Sequence, residues 1–279
     1  MTARRNEARL LRAALAALLG FAPLAALAQA TPQPEHPATS ADDRLLFSYD
    51  HMSLTDTNGG YGGSLNWLRN VGPSSVVGVG GEYQTIAGSH WAFGNLTGAV
   101  GIPTQKLNVY GEAHLGGGNN GHHFDYAIVA AGLVRTFASK YSVQLEDRQL
   151  HVDTTHGNLP KLGLTVLLSP QWIANASWQH SVSGNLGTNL GAVRVDHYAN
   201  VLNVLFGGAG GRASPAVVEL NTGLVLPGQT LREGFLGFSK RFSRTELQLL
   251  GDYLDLSGSV RVTITLTCTV HLQAPAGAR

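Results

Sequence analysis

From Val260 to Leu272 the chain reads VRVTITLTCTVHL, with every even position apolar and every odd position Arg, Thr or His. A period of two marks a β-strand whose faces meet unlike surroundings, because successive side chains point to opposite sides of the pleat. Threonine and β-branched residues suit that conformation. The same alternation recurs upstream. In 75–86, Val77, Val79 and Tyr83 alternate with Glu82 and Gln84. In 106–116, Leu107, Val109, Ala113 and Leu115 alternate with Asn108, Tyr110, Glu112 and His114. In 171–182, Trp172, Ala174, Ala176 and Trp178 alternate with Asn175, Ser177, Gln179 and Ser181.

Between turn signals the pattern predicts fourteen strands: 44–54, 60–70, 75–86, 91–102, 106–116, 123–137, 140–150, 161–169, 171–182, 192–206, 215–225, 231–242, 245–256 and 260–272. Segments 91–102 and 231–242 alternate poorly. Strand plus connection averages about 16 residues, ample for the ~9–11 that a tilted membrane-crossing strand requires. The connections differ by parity. Odd-numbered ones such as TDTNGG, GGNNGH, DTTHGN and SGNLGTNLG are polar and loop-like. Even-numbered ones such as VGPS, PTQ, AS, the Pro170 corner and SR are tight, with GGAGGRAS as the exception. Tight turns at one end and longer loops at the other are the habit of outer-membrane barrels, and an even strand count returns both termini to one side.

A soluble sandwich would show the same alternation with its apolar face inward, and the mid-strand charges would then face water. The N-terminus argues for export. MTARRNEARLLR carries four Arg, an uncharged run follows, and Ala28-Gln29-Ala30 closes it, as in a cleaved secretory signal. Of the formal net charge of +1, that segment accounts for four Arg and one Glu, so the remainder carries −2. A broad basic face is missing, which excludes nucleic acid as a partner. With 35 Gly and one Cys, an exported disulfide scaffold is excluded as well. Beyond residue 30 no apolar run approaches the ~20 residues of a membrane helix. Trp172 and Trp178, like Tyr61 and Trp67, lie six residues apart on one apolar face. That spacing is about 20 Å along a strand, close to the height of a lipid-facing band flanked by aromatic girdles.

The expected fold is therefore all-β: a single antiparallel up-and-down transmembrane β-barrel of about 14 strands, within the range 12–16. Residues 1–30 are the expected signal peptide, 31–43 a polar linker, 44–272 the barrel and 273–279 a tail. The stretch 260–272 becomes the closing strand, apolar face to lipid and threonine face to the lumen. Over residues 44–272, size and strand texture resemble the YaiO-like bacterial outer-membrane barrels. The resemblance implies an outer-membrane location, contact with outer-membrane lipid and lipopolysaccharide, and insertion by the barrel assembly machinery. Such barrels usually end on an aromatic residue, whereas this chain ends TVHLQAPAGAR.

Candidate chemistry is sparse. WQHSVSGN, with His180, Ser181, Ser183 and Asn185, resembles the His and Ser of outer-membrane phospholipases and lipid A deacylases. There a histidine serves as general base to a serine nucleophile acting on lipid. Here His180 and the serines fall on opposite parities, so an interfacial histidine is expected. His122, His123 and Asp125, with His90 or His156 from neighbouring loops, are conceivable metal ligands, but adjacent histidines on an extended chain diverge. Asp153 and His156 resemble the Asp/His usage of outer-membrane proteases. Cys268 falls on the apolar face and is expected to be inert. No catalytic residue, metal site or cofactor is assigned.

The polar faces carry the remaining candidates. Glu82, Glu112, His114, Glu146, Arg148, Lys161, Glu219, Asp252 and Arg261 are expected to line the lumen, with Arg135 among the cations opposite the acids. They could line a selective pore for small polar solutes or saccharides, or pair across the lumen and hold it shut. A channel or export pore is the first expectation. A lipid-directed hydrolase and a plugged structural or surface-interaction barrel are the alternatives.

Overall fold

The computed structural model describes residues 43–55, 57–86, 89–119, 123–152, 155–184, 187–199, 201–213, 229–256 and 259–272. The signal segment, nearly all of the linker, the tail and the expected strand 215–225 with Glu219 lie outside them.

The described residues form β1 (Asp43–Leu54), β2 (Thr57–Gly72), β3 (Ser75–Ile86), β4 (Ser89–Ile102), β5 (Leu107–Asn119), β6 (His123–Phe137), β7 (Tyr141–Val152) and β8 (Thr155–Asn158). They continue with β9 (Lys161–Ser169), β10 (Trp172–His180), β11 (Asn189–His197), β12 (Asn203–Ala213), β13 (Gln229–Arg241), β14 (Thr245–Leu256) and β15 (Ser259–His271). The one described helical turn is 3-10, Pro103–Gln105 between β4 and β5. Neighbours in sequence pair antiparallel, and β15 returns to β1 from Arg44↔His271 to Leu54↔Arg261, closing the sheet on itself.

Fifteen strands make fourteen staves, because β8 and β9 are two pieces of one. Both pair with β7 in a single register, Gln149↔Asn158 above and Glu146↔Lys161 below. Pro160 lies between them and has no N–H to give to the ladder.

The faces divide as the alternation predicts. On β15, Val262, Ile264 and Leu266 stand outside at 43–52 % exposure, while Arg261 and Thr263 are buried inside. Leu65, Val79, Leu96, Leu164, Val193 and Leu249 extend the exposed apolar belt around the wall. A continuous belt of this kind has no place in water. Tyr61, Tyr83, Trp178 and Tyr253 mark its edge at the end with the longer connections, and Trp67, Phe137, Tyr141, Trp172 and Phe242 mark the other edge. These are the two girdles that the paired aromatics of 60–70 and 171–182 predict.

Two boundaries differ from expectation. Segment 192–206 is two strands, β11 and β12, with a turn at 198–202. The GGAGGRAS stretch, expected as a connection, supplies the second half of β12 through Ala213. Glycines hide alternation because they have no side chain to show which face they are on. Gly207 faces inward, and a Cβ there would lie 2.1 Å from the Val193 carbonyl oxygen and 2.6 Å from the Phe235 ring. The fourteen staves close without 215–225, and the barrel begins one residue early, at Asp43.

Candidate functional site

The concave face of the sheet gathers most of the charge that the strands carry. Eight of the expected lumenal residues lie there: Glu82 on β3, Glu112 and His114 on β5, Glu146 and Arg148 on β7, Lys161 on β9, Asp252 on β14 and Arg261 on β15. Arg135 does not. It stands on the outer face near the turn at 138–140, its guanidinium 5.3 Å from the Phe137 ring centroid. Its odd number shares the parity of the lipid-facing Leu133 and Phe137, so the alternation of β6 puts it outside.

Three charge clusters line the interior. In the first, Arg148 reaches Glu112 at 3.0 Å and Glu146 at 3.1 Å, with all three side chains at most 14 % exposed. The Tyr110 hydroxyl donates to Glu146 at 2.6 Å and accepts from the Gln144 amide at 2.6 Å. Lys161 lies opposite Glu146 in the ladder. Gly132 makes room for the Tyr110 ring, since a Cβ there would lie 2.4 Å from it. Gly132→Leu is therefore expected to displace Tyr110 from Glu146 and to cost about 1–3 kcal/mol, the usual range for overpacking. Urea unfolding followed by tryptophan fluorescence checks this, and an unchanged midpoint would contradict it.

In the second cluster, Arg261 pairs with Asp252 at 3.5 Å, with Glu233 on the neighbouring β13. Asp50 on β1 stands opposite Thr265 in the ladder with β15. In the third, Arg194 binds Asp196 on β11, Asn175 donates to Asp196 at 3.2 Å and Thr165 donates to Asn175 at 2.7 Å. Each of these lumenal ion pairs joins staves no more than two apart. The pairs brace the wall rather than spanning the lumen.

Among the described residues the inward strand positions hold eight carboxyl groups (Asp50, Glu82, Glu112, Glu146, Asp196, Glu233, Glu246 and Asp252) against six basic side chains (Arg44, Arg148, Lys161, Arg194, Arg241 and Arg261). Several polar atoms here find no protein partner, including Glu82 Oε1, both ring nitrogens of His114 and Tyr126 Oη.

An apolar layer caps the charges. One inward position farther toward the longer connections, Met52 follows Asp50, Leu150 follows Arg148, Leu254 follows Asp252, and Leu231 precedes Glu233. All four are at most 3 % exposed. Phe93 stacks on Tyr126 at 5.3 Å and meets His114 edge-on at 5.9 Å, and Ile128 beside them is fully covered. Trp91 donates its indole N–H to Gln84 at 3.0 Å. Toward the short-turn end the inward Ser48, Ser64, Thr97, Thr136 and Thr267 are only half-buried. Leu68, Ser142, Ile173, Leu205 and Ser239, also inward near that end, are buried.

The other candidates do not assemble. His180 faces outward and stacks on Trp178 at 5.6 Å, while Ser181 is engaged with the Thr188 backbone. Asn185, His122 and Asp153 lie outside the described residues. His123 meets Asp125 at 3.6 Å on an exposed rim, and His156 faces His151 across the ladder on the outer surface. No group of three or more metal-ligating side chains converges among the described residues. Cys268 is on the outer face of β15 as a free thiol.

Asp50, Glu233, Asp196 and the apolar layer were not anticipated. Parity alone places Asp50 with Ser48 on the inner face. Glu233 sat in a segment whose alternation Phe235 obscures by facing inward.

A closed antiparallel barrel of fourteen staves, girdled outside and polar within, is the fold of bacterial outer-membrane channels. Comparison with solved structures agrees. The CymD monoaromatic hydrocarbon channel matches with a TM-score of 0.59 at 12 % identity, over 88 % of this chain and 93 % of that one. A deletion mutant of the TodX monoaromatic hydrocarbon channel matches with a TM-score of 0.59 at 10 % identity, over 86 % and 94 %. A bacterial polysaccharide outer membrane secretin matches with a TM-score of 0.52 at 9 % identity, over 83 % and 98 %. No family model and no curated protein matches the chain.

Proposed function

We propose that the protein is an outer-membrane channel that passes small polar solutes, saccharides among them, and prefers cations to anions. The carrying observation is the lumen wall: eight carboxyl groups face six basic ones on inward positions of the described residues, and the ion pairs among them run along the wall. Rings of acidic side chains favour cations in a narrow pore. Glu82, Glu112, His114, Glu146, Arg148, Lys161, Asp252 and Arg261 are the proposed lining residues. The aromatic girdles and the fold support a place in the outer membrane, with residues 1–30 removed on export. Contact with lipopolysaccharide, insertion by the barrel assembly machinery and kinship with YaiO-like barrels belong to the same reading.

Glu112→Gln tests the charge preference. It removes a carboxylate charge beside Arg148 and leaves the charge of Glu146 facing that guanidinium. The reversal potential in a KCl gradient is expected to move toward anions. An unchanged potential removes Glu112 from the conducting wall. The covered apolar layer favours a second reading, a barrel closed at rest, which the conductance of Phe93→Ala/Ile128→Ala separates from the first.

A further inference from the structure

We propose that the outer surface at the short-turn end is a binding collar for anionic phospholipid headgroups. Arg69, Lys106, Arg135, Lys140, Lys240 and Arg244 all stand exposed there, on outward strand positions or in the tight turns. Of the carboxylates described at that end, Asp43 lies 3.7 Å from Arg69, while Glu246 and Asp196 take inward positions. At the other end, outward Asp125 and Asp255 accompany Arg212 and Arg232, and Asp147 stands outward in the middle of β7. Positive charge is therefore concentrated at one rim of the barrel.

The placement of two of these cations selects a lipid partner. The Arg135 guanidinium lies over Phe137 at 5.3 Å and the Lys240 ammonium over Phe242 at 5.7 Å. Both rings belong to the aromatic girdle, so these charges sit at headgroup height, with their stems along the edge of the apolar belt. A phosphate-bearing headgroup in the adjoining leaflet is the anion such a rim meets. Asp43 and His271, the first and last strand residues, lie at this end, which an outer-membrane barrel turns toward the periplasm. The collar thus faces the phospholipid leaflet and not the lipopolysaccharide one. This inference needs the membrane placement of the barrel but not an open channel.

The test measures association of spin-labelled phosphatidylglycerol against phosphatidylcholine of identical chains with the folded protein in phosphatidylcholine vesicles. The expected preference is about five-fold or more, the attraction of one basic residue near an anionic surface. It should collapse in high salt with the protein unaltered, because exposed charges are screened. Arg69→Gln/Arg135→Gln/Lys240→Gln should bring it near unity, whereas Arg212→Gln/Arg232→Gln at the opposite rim should leave it intact. If the first variant does not fold by heat-modifiable gel mobility, Lys106→Gln/Lys140→Gln/Arg244→Gln reads the same collar from its turns. A preference that survives both salt and collar variants overturns the proposal. So does a preference lost with the opposite-rim variant, or one that labelled lipid A shares and loses in parallel.

Discussion

Arg148→Met is expected to lower the unfolding free energy by about 3–5 kcal/mol, the range for removing one partner of a buried ion pair. The guanidinium holds Glu112 and Glu146 together, and those side chains are 6 % and 2 % exposed. Methionine fills much of the space but leaves two carboxylates facing each other in a covered wall. The loss should appear as a lower urea midpoint for the folded band on heat-modifiable gels. Restoring balance by adding Glu112→Gln and Glu146→Gln should return part of it, because the three groups act as one network. A midpoint equal to that of the unaltered protein would mean that lumen water, not Arg148, compensates the carboxylates.

The second large effect concerns passage. Phe93→Ala combined with Ile128→Ala is expected to raise single-channel conductance severalfold while preserving cation preference. Phe93 bridges Tyr126 and His114, and Ile128 is fully covered beside them, so the pair forms a packed part of the apolar layer. Asp50, Glu112, Glu146, Asp196 and Asp252 lie on the short-turn side of that layer, whereas Glu82 stands opposite Phe93 and Glu233 opposite Leu254 in their ladders. Hydrophobic constrictions gate by excluding water, so thinning one removes the barrier while the charged section keeps its selectivity. The cavity left will also cost stability, about 2–5 kcal/mol for each large-to-small change, so folding must be verified first. Unaltered conductance in a folded variant would place the barrier elsewhere in the lumen.

Much of this was legible in the chain because a membrane barrel writes its wall in period two. The alternation of 260–272 predicts β15 to within a residue, and the parity of Glu112, His114, Glu146 and Arg148 places each of them inside. The same rule, applied to β6, would have put Arg135 outside, where it is. Legibility fails where glycine removes the side chain that carries the signal. Gly207, Gly208, Gly210 and Gly211 make β12 look like a loop, although the first of them is a glycine because Val193 and Phe235 crowd it. It also fails where an apolar side chain faces inward, as Phe93, Ile128 and Phe235 do, since the pattern then loses its contrast. Phe93 and Ile128 belong to the layer above the charges, so the residues proposed to govern passage are among those that blur the alternation. Partnerships were not legible at all: which cation binds which acid depends on stave order and shear, and Arg148 reaches across β6 to Glu112 on β5.

The most direct test of the channel reading is planar-bilayer recording from the protein after heat-modifiable mobility has shown that it is folded. The account predicts discrete conductance steps, small in the unaltered protein and larger in Phe93→Ala/Ile128→Ala, with a reversal potential on the cation side in a KCl gradient. Silence from both folded proteins, or steps that favour anions, would contradict it.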